Sequence, residues 1–272
     1  MTLRLSKDTQ LCMSLSARPG NFGTRFHNFL YEELQLDFVY KAFTTQDLRA
    51  VIGGIRALGI RGCAVSMPFK EACLEFLDEL DASAAAIQSV NTIVNTNGRL
   101  KGYNTDYLAV GQLLAVHGVS SELPFALLGS GGMAKAVACA LRDAGFRSGK
   151  IIARNVEKGR ALAAVAGLEW SSELGPFRPP FLINVTPIGM SGGAEAMQCA
   201  FDADALAHAE MVFDVVALPP DTPLIRAARA QGKRVITGAE VIALQAVEQF
   251  VLYTGVRPSA AQIARAAAFA AA

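Results

Sequence analysis

The run Gly129-Ser130-Gly131-Gly132-Met133-Ala134 follows a short apolar stretch, Phe125–Leu128, and passes directly into a helix-compatible segment. That order is what a dinucleotide-binding turn requires. Gly129 permits the tight turn, Gly131 or Gly132 lets backbone N–H groups approach a pyrophosphate, and the small Ala134 permits close helix–strand packing. The helix N-terminus adds positive partial charge for the phosphates. About 20 residues on, an NAD-specific turn places Asp or Glu against the ribose 2′-hydroxyl. Here the chain reads Ile151-Ile152-Ala153-Arg154-Asn155-Val156-Glu157-Lys158. A carboxylate repels a 2′-phosphate, whereas a guanidinium binds it through a charge-assisted fork, so Arg154 and Lys158 favour NADP. The competing readings are a plain strand-to-helix connection and two solvated surface cations.

Two further segments carry acid–base candidates. Val65-Ser66-Met67-Pro68-Phe69-Lys70 places a lysine just after a strand end, and Gly102-Tyr103-Asn104-Thr105-Asp106 places a carboxylate just before a helix. Each also has a bland explanation: lysines are common in first helical turns, and Asp106 could be an N-cap.

The elements that must position these groups alternate in period. Leu11–Leu15, Phe38–Phe43 and Gly62–Met67 read as strands; Phe22–Leu34, Thr45–Leu58 and Phe69–Leu80 read as helices, the second capped by Thr44 or Thr45. Ser89–Asn95 and Leu100–Tyr103 flank Thr96-Asn97-Gly98, a strong hairpin signal that predicts a mixed sheet. A helix from about Tyr107 to His117 leads to the nucleotide strand, and further strands are expected at Lys150–Ala153, Phe181–Val185, Met211–Val216 and Arg234–Ile236. Helices over Glu240–Tyr253 and Ser259–Ala271 follow. The expected class is α/β: a discontinuous substrate domain (1–105 plus 240–272) beside a doubly wound dinucleotide-binding domain (106–239).

Composition narrows the partners. The 272 residues, 52% hydrophobic, are ample for two cores, and a formal charge of +1 without a basic run argues against nucleic acid. No window of about 18 uncharged apolar residues suggests a membrane span, and the first eight residues lack the features of a leader. Cys12, Cys63, Cys73, Cys139 and Cys199 form no CxxC, and the three histidines show no ligand spacing with them. Buried reduced thiols, no metal and a cytoplasmic monomer or homodimer are the expectations.

Taken in order, Ser14-x-Ser16, Pro68-Phe69-Lys70, Ser89-Val90-Asn91-Thr92, Asn104-Thr105-Asp106, Gly129-x-Gly131-Gly132, Asn184-x-Thr186 and Leu244-Gln245-Ala246 resemble the successive motifs of the shikimate dehydrogenase family. They span nearly the whole chain. The resemblance implies a substrate domain beside a Rossmann domain with substrate in the intervening cleft, and reversible NADPH-dependent reduction of 3-dehydroshikimate to shikimate. It implies Lys70 and Asp106 as the catalytic pair, and Ser14, Ser16, Ser66, Asn91 and Gln245 as contacts to a polyhydroxy cyclic acid. It implies a cofactor set of Gly129, Ser130, Gly131, Gly132, Met133, Ala134, Arg154, Asn155, Lys158, Thr186, Val215 and Gly238.

The chain departs from that pattern in places. Ala17-Arg18-Pro19-Gly20-Asn21-Phe22-Gly23 lengthens the path to His27-Asn28, and Ser66 stands where the family has threonine. Ala64 and Met67 replace an asparagine and a valine, and Ala217 replaces a substrate-contacting tyrosine. The catalytic residues are kept while hydrogen bonds to the ligand are thinned. A related substrate such as quinate or an aminated analogue, or a ligand-binding paralogue with little turnover, is the alternative expectation.

Overall fold

A computed structural model describes residues 5–271. The reading of the N-terminus therefore falls partly outside the described residues, as does Ala272 at the end of the first expected domain. The chain divides into two compact units, one running to Thr105 and resuming at Ala243, the other spanning Asp106–Ile242.

The first unit begins with β1 (Gln10–Leu15), α1 (Phe22–Glu33), β2 (Phe38–Phe43), α2 (Leu48–Ala57), β3 (Gly62–Val65) and α3 (Phe69–Ala72). It continues with β4 (Glu79–Leu80), α4 (Ala82–Ala85), β5 (Thr92–Thr96) and β6 (Arg99–Tyr103). The strands form one mixed sheet in the order β2-β1-β3-β5-β6-β4, parallel from β2 to β3 and antiparallel through the β5–β6 hairpin. Positive φ at Asn97 (53°) and Gly98 (86°) gives that hairpin the tight turn its sequence demands.

Strand alternation sorts side chains onto two faces. Odd-numbered Met13, Leu15, Cys63, Val65 and Ile93 join Ile52 and Ile55 of α2 in one core. Even-numbered Cys12 and Val94 face a second core with Phe26, Leu30 and Tyr31 of α1. Within this second core lies His27, fully buried, its ring stacked 4.4 Å from Tyr40 and 6.1 Å from Phe250. Neither of its ring nitrogens makes a hydrogen bond of full geometry, though the Gln249 side chain lies near the ring.

The second unit starts in α5 (Thr105–Val116) and runs through β7 (Phe125–Leu128), α6 (Gly132–Asp143), β8 (Gly149–Ile152), α7 (Val156–Ala166) and β9 (Glu169–Ser171). It proceeds through β10 (Phe181–Asn184), α8 (Ala203–His208), β11 (Met211–Asp214), α9 (Pro223–Ala230) and β12 (Arg234–Thr237). The sheet is parallel throughout, ordered β12-β11-β10-β7-β8-β9. Counted from β7, that is the 3-2-1-4-5-6 order of a Rossmann sheet, with its switch point between β7 and β10. Two final helices, α10 (Gly238–Thr254) and α11 (Ala260–Ala271), return the chain to the first unit.

Several expectations are corrected. The helix expected over Phe69–Leu80 stops at Ala72 and gives way to a 3₁₀ turn, Leu74–Phe76, and then to strand β4. Asp78 accepts from the Leu100 N–H at 2.7 Å, and Glu79 and Leu80 pair with Lys101 and Gly102, so sheet pairing overrides the helical spacing. Helix α2 starts at Leu48, capped by Asp47 rather than Thr44 or Thr45: the Asp47 carboxylate accepts from Ala50 N–H at 2.9 Å. Thr45 instead forms the turn before it, accepting from Asp47 N–H. The strand at β3 ends at Val65, two residues short of Met67, where the chain turns toward Pro68. Cys12, Cys63, Cys73 and Cys139 are buried free thiols, but Cys199 is exposed. Among the described residues no helix is long and apolar enough to cross a membrane, and no cluster of three potential metal ligands occurs.

Candidate functional site

In the first unit, backbone bonds gather the expected substrate contacts at the C-terminal end of the parallel strands. Ser66 N–H donates to Leu15 O at 2.8 Å and Ala17 N–H to Met67 O at 3.1 Å, tying the end of β1 to that of β3. Ser14, Ser16 and Ser66 are thereby neighbours. Val65 N–H reaches Asn91 O at 2.7 Å, and Val90 N–H reaches Lys70 O at 2.8 Å, which adds Asn91 and Lys70. Register places Ser14 beside Ala64 and Ala64 beside Thr92, all on the face with the second core. Ala64 thus contributes a methyl group between two hydroxyls. The Ser14 hydroxyl bonds that of Tyr40, whose pKa burial pushes up.

Asn91 is 2% exposed and its side chain is fixed by three bonds to one atom. That atom accepts from Thr105 N–H (2.8 Å), Thr92 Oγ1 (2.8 Å) and Thr105 Oγ1 (3.1 Å). A backbone N–H can only donate, so the atom facing it is Oδ1. The Nδ2 group is then left buried without a partner. A buried unpartnered donor is costly unless a ligand satisfies it.

Gln245 sits half-buried on α10. One turn later Gln249, only 4% exposed, donates to Thr92 Oγ1 at 3.1 Å and Asn91 O at 3.3 Å. That anchor holds α10 over the same strands. The sequence shows Gln249 only as a polar interruption of an apolar stretch, and its spacing of four from Gln245 is the signal that could have paired them.

In the second unit, Asp106 lies in the first turn of α5, which begins at Thr105. It therefore sits inside the helix, past the cap position. Leu128, Gly129, Ser130 and Gly131 line a pocket of about 440 Å³ at the switch point, together with Ile152–Asn155 and Val185–Ile188. Gly129 adopts φ 127°, and a Cβ there would come within 2.9 Å of the Val185 side chain. Gly131 and Gly132 face open space, with nothing within 4 Å of an added Cβ. Such a cradle over the N-terminus of the 12-residue α6 exposes first-turn N–H groups toward an anion. Met133 and the buried Ala134 belong to that helix, and Ala134 faces inward.

At the opposite wall, Arg154 is 83% exposed at the end of β8. Asn155 reaches the pocket but its side-chain oxygen caps α7, accepting from Lys158 N–H at 2.9 Å. Lys158 is exposed in the first turn of α7 and does not line the pocket. Val215 and Gly238 do not line it either; a Cβ on Gly238 would sit 2.4 Å from Val215 O, so these two backbones touch. The Thr186 hydroxyl donates to Asn184 Oδ1 at 2.6 Å. Asn184 in turn donates to Asp214 Oδ1 at 3.0 Å, and Asp214 Oδ2 accepts from Thr222 Oγ1 at 2.7 Å. Burial raises the Asp214 carboxyl pKa, partly offset by the Thr222, Val216 and Asn184 donors. Sequence reasoning missed this network, which pins the ends of β10 and β11 beside the pocket.

Comparison with known proteins agrees over the whole length. A shikimate dehydrogenase-like protein of Haemophilus influenzae is 58% identical over 266 residues, covering 98% of each chain. The chain belongs to the shikimate dehydrogenase family. Residues 22–93 match the family described as shikimate dehydrogenase substrate binding domain. The shikimate 5-dehydrogenase of Thermus thermophilus, solved in complex with NADP(H) and shikimate, is similar with a TM-score of 0.84, 31% identity and coverage of 96% of this chain and 99% of that one. A quinate dehydrogenase from Corynebacterium glutamicum, in complex with NAD, is similar at TM-score 0.86, 27% identity and 96% and 98% coverage.

Proposed function

We propose that this member of the family is an NADP-dependent oxidoreductase that interconverts shikimate and 3-dehydroshikimate. The observation that carries the cofactor reading is Arg154 at the switch-point pocket, on the strand end where an NAD-specific sheet carries a carboxylate. The residues fit the group: the glycine cradle is open above α6, and a guanidinium faces the opposite wall. When bound, the nicotinamide supplies or accepts the hydride.

The remaining chemistry belongs to the chain's own side chains. Oxidising a CH–OH group requires loss of the hydroxyl proton as well as of hydride, so a group must take that proton or stabilise the developing alkoxide. Lys70 fills that role in this reading, and Asp106 supplies the second acid–base group. The substrate is a small polyhydroxy cyclic acid. Ser14, Ser16, Ser66 and Gln245 offer neutral hydrogen bonds to its carboxylate and hydroxyls, and Asn91 offers its unpaired Nδ2 as a donor. Arg154, with the cradle from Gly129 to Ala134, holds the cofactor. Asn155, Thr186, Val215 and Gly238 shape the walls around it, and Lys158 adds positive charge nearby.

The test is an absorbance assay of NADP and NAD reduction with shikimate, quinate and simple 2-hydroxy acids. Turnover of shikimate with NADP and not with NAD supports the reading; reduction only with 2-hydroxy acids overturns it. A second reading, a related acid such as quinate or an aminated analogue, is favoured by Ala64, whose methyl stands between Ser14 and Thr92, and by Ala217. Replacing Ala217 with Tyr discriminates. A gain in shikimate kcat/KM of roughly fivefold, the equivalent of about 1 kcal/mol, marks a missing clamp. A loss marks space reserved for a bulkier ligand.

A further inference from the structure

Beside the pocket read above as the cofactor site lies an anion, Glu195, paired with one of the residues that line it. Glu195 Oε1 lies 3.8 Å from Arg154 Nη1. The segment between β10 and α8 that bears it has no regular structure, yet it is fixed. The Glu195 carbonyl accepts from both Gly189 N–H (3.0 Å) and Gln198 N–H (3.1 Å), so the segment folds back on itself around this residue. Ser191 N–H donates to Leu218 O at 2.8 Å, a second anchor. Gly189, at φ 87°, seats the turn against Thr222 and Pro223, where an added Cβ would approach both to 3.3 Å. Ile188 and Ala200, on either side of the segment, both line the pocket. A backbone held in this way places the Glu195 carboxylate, 29% exposed, beside the Arg154 guanidinium, which lines the pocket.

We infer that Glu195 is a specificity-determining residue that competes with the 2′-phosphate of NADP for Arg154. This rests on the NADP reading above. A carboxylate and a phosphate monoester are alternative acceptors for the same guanidinium fork. A 2′-phosphate bound by the same guanidinium shares it with Glu195 and lies close to a like charge, which weakens its binding. A 2′-hydroxyl meets no such cost and can donate to the same carboxylate, the role an acidic residue plays in NAD-specific sheets. Glu195 therefore narrows the preference for NADP over NAD from both sides. An exposed ion pair is screened by salt, so the effect shrinks as ionic strength rises.

The experiment is titration calorimetry of the whole protein with NADP⁺, NAD⁺ and adenosine 2′,5′-bisphosphate, for the parent, Glu195→Gln and Arg154→Ala. In Glu195→Gln, affinity for NADP⁺ and for the bisphosphate is expected to rise about two- to fivefold, while NAD⁺ binding stays level or weakens. The difference should diminish at high salt. Equal changes for NADP⁺ and NAD⁺ would make Glu195 a scaffold residue, and no change would remove it from the site; either overturns the inference. Arg154→Ala separates the two levels of the argument. If it erases the NADP preference while Glu195→Gln does nothing, the cofactor reading stands and the Glu195 inference falls. If it leaves the preference intact, the cofactor reading at Arg154 falls with it.

Discussion

The Asn91 side chain divides its two polar ends between structure and ligand. Its oxygen is committed to Thr92 and Thr105, and only its amide donor remains for a bound molecule. Beside it, the Lys70 carbonyl accepts from Val90, so the backbone of the lysine is fixed independently of its amine. That separation permits a clean test. Lys70→Ala should lower kcat by about 10²–10⁴-fold, the typical contribution of a positioned proton-transfer group. The melting curve and NADP affinity should be retained, because the backbone bond survives the substitution. A variant turning over within about threefold of the parent would make Lys70 an orienting cation only.

At the scale of elements, the contact between the first turn of α10 and the segment after β11 leaves no room for a side chain. A Cβ at Gly238 would lie 2.4 Å from Val215 O and from Val216 C and O, all backbone atoms that cannot rotate away. Gly238→Ala should therefore destabilise the protein by about 1–3 kcal/mol, the usual range for overpacking. A thermal melt checks this; an unchanged Tm would mean the helix start shifts without cost. The sequence made five of the six parallel strands legible because each holds a short apolar run near turn signals; β9, Glu169–Ser171, has no such run and was missed. The glycine turn was legible for the same reason. The elements it missed or misread owe their form to partners distant in the chain. Strand β4 exists because Asp78, Glu79 and Leu80 meet β6, where Gly102 lets Leu77 and Val90 approach to distances that a Cβ would forbid. Nothing local in residues 69–80 announces that pairing. The candidate site divides similarly. Spacing pointed to Arg154, a place after a strand end to Lys70 and the family resemblance to Asn91, whereas the Thr186–Asn184–Asp214–Thr222 chain and the Glu195 pair join residues up to tens of positions apart and become visible only in three dimensions.

For the molecule as a whole, the fully buried His27 ties stability to pH. Desolvation lowers its pKa from 6.5 to about 3, offset only in part by the neighbouring Gln249 amide. The folded state therefore holds His27 neutral in a range where the unfolded chain is protonated. Its contribution is complete above pH 6.5 and is lost as pH falls toward 3, at up to about 1.4 kcal/mol per pH unit. The carboxylates held below their ordinary values by partners, such as Glu33 beside Arg265 and Asp78 beside Arg56, act in the same direction only below about 4.5. Between pH 6.5 and 4.5 the buried Asp214 carboxyl, its pKa raised by burial, acts in the opposite direction, so the histidine is read from the difference between the parent and a His27 variant that share every other group. His27→Phe keeps an aromatic ring between Tyr40 and Phe250 and removes the two ring nitrogens. Its Tm should fall less across that window than the parent's. An equally steep fall in the variant would assign the acid sensitivity elsewhere.

The return of the chain to its first unit reverses the usual order of assembly during synthesis. Domains made on ribosomes generally fold in the order in which they emerge. Here the segment 106–242 is continuous, whereas one of the two cores of the earlier-made unit is completed only by residues 243–271. Phe250 and Tyr253 of α10 and Ala266 and Ala270 of α11 belong to that core, and Arg265 of α11 pairs with Glu33 of α1. A released chain truncated after residue 242 should then be cut by protease within residues 5–105 while 106–242 resists. Equal resistance of both stretches would show that the first core closes without its final helices. The oldest part of each new molecule is thus the last to become safe from degradation, and a premature stop near the C-terminus costs the substrate half of the enzyme before the cofactor half.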